Sequence, residues 1–177
     1  TAVSGAPNTR PLLLLWGFMG TGKSTVGRAL AEATGAAFVD LDQRIEARAG
    51  KSIAAIFTDE GEARFRELER AEVTTALTGV GRRVVALGGG ALLDPELRIR
   101  ALAGAWVVVL VASGAAILAR TDASGRPLLA GDREANIARL LQERASAYAE
   151  AHAELATDGV EVAALVERLA ALWSAPR

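Results

Sequence analysis

The chain has 177 residues, which is the size of one domain with a substantial hydrophobic core. Its 20 lysine and arginine residues nearly balance its 21 aspartate and glutamate residues, so we expect no nucleic-acid partner and no basic membrane-binding surface. It has no cysteine, and its single histidine is His152, which together exclude disulfides, thiol catalysis and a zinc cluster. We therefore expect a cytoplasmic protein, a monomer, that acts on small molecules.

The first segment, residues 1–11, is polar, contains glycine and proline, and has no apolar block of the kind that a secretory signal requires. We expect this segment to be a flexible tail or a linker. The remaining residues, 12–177, are expected to form one domain.

The most informative segment follows the first predicted strand, an apolar run at residues 12–16. Residues 17–25 read GFMGTGKST and match the phosphate-loop pattern G-x-x-x-x-G-K-[ST], with a predicted helix after them. In such loops glycines allow backbone N–H groups to surround a phosphate, the lysine reaches the β- and γ-phosphates, and the hydroxyl binds Mg²⁺. The segment predicts a nucleotide site at Gly20, Thr21, Gly22, Lys23, Ser24 and Thr25.

The rest of the chain alternates predicted strands and helices. Further strands are predicted at residues 36–40, 83–87, 106–111 and 153–157. Helices are predicted at residues 42–49, 53–57, 62–77, 95–102, 114–120, 133–151 and 162–173. This order indicates an α/β domain with a parallel sheet, whose ligands bind at the carboxyl ends of the strands.

One apolar stretch could also be read as a membrane span, because residues 101–119 contain no charged side chain. Gly104 and Gly114 interrupt it, and residues 106–111 are rich in β-branched side chains, which favour strands. We therefore predict a buried parallel strand followed by a helix that begins at Ser113, and no membrane span.

Two predicted strands end in groups suited to a ligand site. The second ends in Asp40-Leu41-Asp42, and the third ends in Gly88-Gly89-Gly90, whose backbone N–H groups could contact a ligand. Many phosphate-loop ATPases carry a metal-binding aspartate after a later strand, but Gly88 occupies that position here. Asp40 is the best alternative for holding Mg²⁺, through water. Helix capping is the other interpretation of Asp40 and Asp42, and we expect it to account for one of them at most.

Taken together, these segments resemble the shikimate kinase family from about residue 12 to about residue 173. A phosphate loop alone occurs in proteins with many functions, whereas this combination of motifs in this order is specific. The matching segments are residues 17–25, 38–42 with 45–46, 52–57, 61–62, 65–69, 87–91, 126–129, and Arg144 four residues before Tyr148.

The resemblance implies a three-layer α/β fold of the nucleoside-monophosphate-kinase type, with a five-stranded parallel sheet. It also implies a small substrate-binding region at about residues 42–77 and a lid at about residues 122–132. The small residues at 122–125 are typical of a mobile segment that delivers one arginine, Arg126.

The implied activity is the ATP-dependent phosphorylation of shikimate to shikimate 3-phosphate, with ATP and shikimate as partners and Mg²⁺ as cofactor. Catalysis is assigned by the resemblance to Lys23, Asp42 and Arg126. Arg120 would stack on adenine, Arg126 would also contact ATP, and Ser24 with Asp40 would serve the metal. Shikimate would be bound by Asp42, Arg66, Gly88, Gly89, Gly90 and Arg144.

Several of these residues have a simpler structural interpretation. Arg66 lies in a charge-dense helix where most charges form a solvated face, and Glu69 would only orient it. Trp16 and Phe57 are expected in the core, and His152 at the surface. The short connection at residues 157–159 replaces a longer basic loop of the family, so we expect phosphates to supply most of the nucleotide affinity.

Two other functions remain open at this point. One is another small-molecule kinase of the same fold, such as a gluconate-type kinase. The other is a non-catalytic domain that senses shikimate-like ligands.

Overall fold

The computed structural model describes residues 8–121 and 127–173 and places a five-stranded sheet at the centre of the domain. The strands, numbered in chain order, are β1 (Leu12–Trp16), β2 (Ala37–Asp40), β3 (Arg83–Ala86), β4 (Trp106–Val111) and β5 (Ala153–Ala156). Their spatial order is β2-β3-β1-β4-β5, and every neighbouring pair is parallel. The predicted five-stranded parallel sheet is confirmed.

Helices cover both faces of the sheet. They are α1 (Lys23–Thr34), α2 (Leu41–Ala49), α3 (Ile53–Thr78), α4 (Pro95–Gly104), α5 (Gly114–Arg120), α6 (Arg133–Tyr148) and α7 (Val162–Leu172), with a short 3-10 helix at Pro127–Leu129. Side chains of β1 alternate between the two faces because successive residues of a strand point in opposite directions.

That alternation divides the core into two layers. Leu12, Leu14 and Trp16 pack with side chains of α2, α3, α4 and α6 on one face. Leu13 and Leu15 pack with side chains of α1 and α7 on the other face. A strand covered on both faces must be apolar throughout, which explains the unbroken run that opens the domain.

The helix boundaries differ from the prediction between residues 53 and 78. We predicted two helices separated by residues 58–61, but helical structure continues past Phe57 up to a kink at Gly61. Gly61 has φ 85° and ψ 169°, a conformation that glycine adopts at little cost. The prediction that a helix ends at residue 57 is therefore wrong, whereas a break before Glu62 is correct.

The apolar stretch at residues 101–119 is a strand and a helix, as predicted. It contains the end of α4, the buried strand β4 and most of α5, whose N-terminus is capped by Ser113 Oγ accepting from the N–H of Ala116. In the described part of the chain, none of the helices has the length and apolar character needed to cross a bilayer.

Residues 8–11 lie against the end of α7. The N–H of Asn8 donates to the carbonyl of Leu172 at 2.7 Å, and Trp173 Nε1 donates to the carbonyl of Arg10 at 2.7 Å. The segment that leads into β1 is therefore joined by hydrogen bonds to the C-terminal helix.

Candidate active site

A cleft of about 340 Å³ opens where β1, β2 and β3 end, which is the edge of the sheet that the sequence indicated. Most of the predicted site residues line it: Gly20, Gly22, Lys23, Ser24, Thr25, Asp40, Asp42, Arg66, Gly88, Gly89, Gly90 and Arg144. Thr21 and Arg120 lie beside it rather than in its wall, and Arg126 lies outside the described residues.

The loop between β1 and α1 has the geometry of an anion site. Gly20 and Gly22 have φ angles of 76° and 91°, which other residues rarely adopt. Gly22 precedes α1, and none of the described side chains caps that helix, which is the arrangement of a helix N-terminus that binds an anion. Lys23 Nζ donates to the carbonyls of Gly17 and Phe18, each at 2.8 Å, which holds its charge over the loop.

Asp40 caps α2 with one carboxylate oxygen and contacts the phosphate loop with the other. Its Oδ1 accepts from the N–H groups of Asp42 and Gln43 at 3.1 and 3.3 Å, and thereby caps α2. Its Oδ2 accepts from Ser24 Oγ at 2.7 Å, which links the end of β2 to the phosphate loop. Asp42 is in the first turn of α2, directly beyond the cap.

The Ser24–Asp40 pair fits Mg²⁺. Mg²⁺ binds oxygen ligands and usually takes only one or two from the protein, with water and substrate phosphates supplying the others. Over residues 8–121 and 127–173 no group of three or more His, Asp or Glu side chains could hold a metal by itself. A hydroxyl and a carboxylate beside a phosphate loop therefore suit a metal that arrives with a nucleotide.

Arg66 is anchored to a buried carboxylate rather than lying on a solvated face. Its Nη1 donates to Glu69 Oε1 at 2.6 Å, and its Nη2 lies 3.4 Å from Glu62 Oε1. Glu69 is 3% exposed, and this burial raises the pKa of its carboxyl group, while the Arg66 guanidinium opposes that rise. The predicted orienting contact of Glu69 on Arg66 is present.

Arg144 is a buried cation with unused donors. The residue is 3% exposed, and its Nε and Nη1 atoms are buried with no hydrogen-bond partner among residues 8–121 and 127–173. Its guanidinium lies over the ring of Phe18, 5.4 Å from the ring centroid. A buried guanidinium with unsatisfied donors is costly unless a ligand completes it, so this group is suited to an anion entering the cleft.

Each glycine of the Gly88-Gly89-Gly90 turn allows the close approach of a different charged side chain. A methyl group on Gly88 would lie 2.8 Å from Glu69 Oε2, and one on Gly89 would lie 2.7 Å from Arg144 Nη1. One on Gly90 would lie 2.5 Å from Arg66 Nη1. These distances are too short for real contacts, so a larger residue at any of the three positions would displace one of these charged side chains, and glycine allows both arginines to lie against the turn.

Three aromatic residues contribute more than the sequence analysis assigned to them. Phe57 is half-buried and packs against the core, and it also lines the cleft with Phe65, their ring centroids 4.9 Å apart. Trp16 is fully buried as predicted, but its Nε1 also donates to the carbonyl of Gly89 at 3.0 Å. Tyr148 OH donates to the same carbonyl at 2.8 Å.

Signals for two of these residues were present in the sequence. Phe57 and Tyr148 both lie within the segments that matched the family. Their spacing from neighbouring motifs gave no information about which atoms they contact, because the partners are distant in the chain.

The surroundings of Arg120 are polar and exposed. Its Nη1 lies 3.4 Å from both the carbonyl of Gly20 and Thr157 Oγ1. Asp158, in the short connection after β5, accepts from the N–H of Ser113 through both carboxylate oxygens. The Ser113 hydroxyl first, and this N–H second, lower the pKa of the Asp158 carboxyl group. The connection at residues 157–159 is therefore tied to the start of α5, next to the phosphate loop.

His152 is exposed, as predicted, and has a structural contact. Its Nδ1 accepts from the N–H of Val107 at 3.0 Å, which extends the pairing between β4 and the segment before β5. Burial and the nearby Arg10 guanidinium lower the pKa of its imidazole, so the neutral form that accepts this hydrogen bond is favoured. His152 does not line the cleft.

The geometry describes a cleft with two distinct ends. One end has a phosphate loop, Lys23 and the Ser24–Asp40 pair. The other end has two arginines around a glycine turn. A polyanionic nucleotide suits the first end, and a small hydroxylated acid suits the second.

Comparisons with known proteins agree with this description. The family model for shikimate kinase matches residues 19–172. A shikimate kinase from Salinispora tropica is 49% identical over 165 residues, which cover 88% of this chain and 98% of the relative. The structure of a shikimate kinase from Acinetobacter baumannii in complex with shikimate superposes with a TM-score of 0.86 at 35% identity, covering 91% of each chain.

A gluconokinase from Sinorhizobium meliloti is similar in fold, with a TM-score of 0.58 at 21% identity over 93% of this chain and 92% of that one. Identity at that level supports a shared fold and carries no information about the acceptor.

Proposed function

Because the chain belongs to the shikimate kinase family and has its activity, we propose that the cleft at the ends of β1, β2 and β3 is where ATP phosphorylates the 3-hydroxyl of shikimate. The enzyme is an ATP-dependent phosphotransferase with an alcohol group as acceptor. The observation that carries the assignment of the cleft is Arg144, a buried guanidinium whose Nε and Nη1 have no partner among the described residues and which lies between the glycine turn and Phe18.

Shikimate has one carboxylate and three hydroxyl groups, which match the second end of the cleft. The carboxylate would accept from Arg144 and Arg66, whose guanidinium groups both lie against the glycine turn. The hydroxyl groups would meet Asp42 and the backbone N–H groups of the turn. Burial of the carboxylate against Arg144 would satisfy donors that the protein leaves without partners.

ATP would bind at the first end with its phosphates in the loop before α1. Lys23 would hold the β- and γ-phosphates, and Ser24 with Asp40 would hold Mg²⁺. The metal would neutralise charge that develops on the phosphate oxygens during transfer. Arg120 lies close to the loop carbonyl of Gly20, which is compatible with a contact to the base.

Asp42 is placed to receive the proton of the acceptor hydroxyl. It follows the Asp40 cap, and a methyl group on Gly88 would lie 3.3 Å from its Oδ1, so its carboxylate faces the turn that would hold shikimate. Arg126, outside the described residues, is proposed to stabilise the phosphoryl group in transit. Phosphoryl transfer depends mainly on such positioning and positive charge.

An assay of ADP release compares the possible acceptors directly. Shikimate, gluconate and nucleoside monophosphates are tested with ATP and Mg²⁺ at matched concentrations, and only shikimate is expected to support turnover. Turnover of gluconate or a nucleoside monophosphate without turnover of shikimate would contradict the proposal. Binding of shikimate with no ADP release on any acceptor would favour a ligand-sensing domain.

Arg66→Ala is expected to raise the KM for shikimate by about 10- to 100-fold with little change in kcat. Removing a charged donor costs about 1.5–3 kcal/mol, and we expect Arg66 to contact the carboxylate equally in the ground and transition states. Steady-state kinetics with varied shikimate measure the effect. Arg64→Ala is the matched control, because Arg64 is an exposed arginine of α3 that forms ion pairs with Glu60 and Glu67. Equal effects of the two substitutions would contradict the role of Arg66.

Asp40→Asn is expected to shift the Mg²⁺ dependence of the reaction to higher concentration. Asn keeps an oxygen for the N–H groups of Asp42 and Gln43, so the cap of α2 survives, but it loses the charge beside Ser24. Initial rates over a Mg²⁺ titration should show activity partly restored by excess metal. An unchanged Mg²⁺ midpoint would show that Asp40 acts only as a cap.

A further inference from the structure

The carbonyl oxygen of Gly89 accepts two hydrogen bonds from aromatic side chains. Trp16 Nε1 donates at 3.0 Å and Tyr148 OH donates at 2.8 Å. The two rings are in contact edge to face, with centroids 4.7 Å apart and an interplanar angle of 87°. Trp16 is fully buried and Tyr148 is 7% exposed, so these bonds are shielded from water.

The two bonds fix the orientation of one peptide group. A carbonyl oxygen has two lone pairs, and two donors on one oxygen leave the peptide plane little freedom to rotate. The Gly89–Gly90 bond is trans, so the N–H of Gly90 points opposite to the carbonyl. With the carbonyl held towards the buried aromatic pair, the N–H is directed away from that pair, on the side where Gly90 lines the cleft.

The same peptide also limits the space available to the cleft arginine. A methyl group on Gly89 would lie 2.7 Å from Arg144 Nη1 and 3.3 Å from both Tyr148 OH and the Gly17 carbonyl. Tyr148 follows Arg144 by four residues on α6, so the two side chains lie on one helix face. A rotated turn would therefore enter the position that the Arg144 guanidinium occupies.

We propose that Trp16 and Tyr148 are positioning residues for the acceptor: together they hold the Gly89 carbonyl, and through it they fix the Gly90 N–H and the Arg144 guanidinium in the arrangement that binds shikimate. This inference rests on the proposed function, because it concerns the affinity of the same cleft. Neither aromatic side chain needs to contact shikimate, since both act through Gly89, and Tyr148 also interacts directly with Arg144.

Because two donors share one oxygen, the positioning role predicts a different pattern of single and double substitution effects from the one that simple packing would give. Either donor alone still holds the carbonyl inward, whereas loss of both releases the peptide. Removal of one donor should therefore have a small effect, and removal of both should exceed the product of the single effects. Residues in contact that share one partner are expected to show such coupling.

The test compares Trp16→Phe, Tyr148→Phe and the double variant, with the shikimate Kd from titration calorimetry and the KM for each substrate. Each single substitution should weaken shikimate binding by about 3-fold, and the double substitution by about 30-fold or more, with the KM for ATP within about 2-fold of the unaltered chain. Trp173→Phe is the matched control. It also removes an indole N–H bond to a backbone carbonyl, at Arg10, and should lower the Tm while leaving the shikimate Kd unchanged.

The outcomes distinguish the inference from its premise. An unaltered chain that fails to bind shikimate contradicts the proposed function. The positioning role is overturned if the unaltered chain binds shikimate and the double variant binds it equally well. It is also overturned if the fold-change in Kd for the double variant only equals the product of the two single fold-changes. If Trp16→Phe does not fold, Tyr148→Phe is the deciding variant, because it removes only a hydroxyl group. A shikimate Kd for Tyr148→Phe equal to that of the unaltered chain then overturns the inference.

Discussion

Arg126→Ala is expected to lower kcat by about 10³-fold while changing the KM for shikimate by much less. Charge on the transferring phosphoryl group develops as the bond to ADP breaks, so a guanidinium that meets it acts mainly in the transition state. Arginines that serve this role in other phosphoryl-transfer enzymes contribute about 10³- to 10⁵-fold to kcat. The lower end of that range is appropriate because Lys23 already supplies one positive charge beside the phosphate loop.

Pro127 and Leu128, which follow Arg126 in the chain, both line the cleft. Steady-state kinetics at saturating ATP and shikimate measure the effect, and Arg139→Ala is the control, because Arg139 is an exposed arginine of α6 paired with Glu143. A normal kcat in the Arg126 variant would remove this residue from the catalytic set.

The sheet could be predicted from the sequence because its strands carry a strong local signal. A strand that is covered on both faces must be apolar along its whole length, and residues 12–16 and 106–111 meet that requirement. The start of the helix after β4 was equally readable, since Ser113 Oγ accepts from the N–H of Ala116 at the position that the sequence indicated. These features depend on a few adjacent residues, which is the information that a sequence displays directly.

The kink at Gly61 shows where local information was insufficient. A glycine before Glu62 indicated a break, but nothing nearby indicated that helical structure would continue from Phe57 to that glycine. The outcome depends on packing of the first part of α3 against α2 and the cleft, where Phe57 meets Phe65. Such contacts join residues that have no fixed spacing in the chain.

The site residues could be named from motifs, but their physical states could not. The motif gave Arg144 a role, whereas its burial with two unpartnered nitrogen atoms is visible only when Phe18 and Gly89 are placed around it. Likewise, the sequence treated capping and metal binding by Asp40 as alternatives. The two oxygens of its carboxylate face different elements, so one side chain has both the capping contact and the Ser24 contact.

Asp42→Asn is expected to lower kcat by about 10²-fold or more while leaving nucleotide affinity almost unchanged. Asn has nearly the same size but no charge, so it is a weaker acceptor and cannot take up the proton of the acceptor hydroxyl. A lost general base typically costs about 10²- to 10⁴-fold. The backbone N–H of residue 42 still donates to Asp40 Oδ1 after this change, so the start of α2 should be preserved.

Both kcat at saturating shikimate and the Kd for ATP are measured for Asp42→Asn. Asp40→Asn is measured in the same way as the control variant. One residue separates the two aspartates, but Asp40 Oδ2 accepts from Ser24 Oγ of the phosphate loop at 2.7 Å, whereas the Asp42 carboxylate faces the turn at Gly88. Excess Mg²⁺ should therefore restore activity in the Asp40 variant and leave the Asp42 variant unchanged.

If Asp42→Asn retains a near-normal kcat, Asp42 only positions the acceptor, and the proton must pass directly to the phosphoryl oxygens. That result would fit a transition state with little bond formation to the hydroxyl, in which the proton is lost late and a base contributes little.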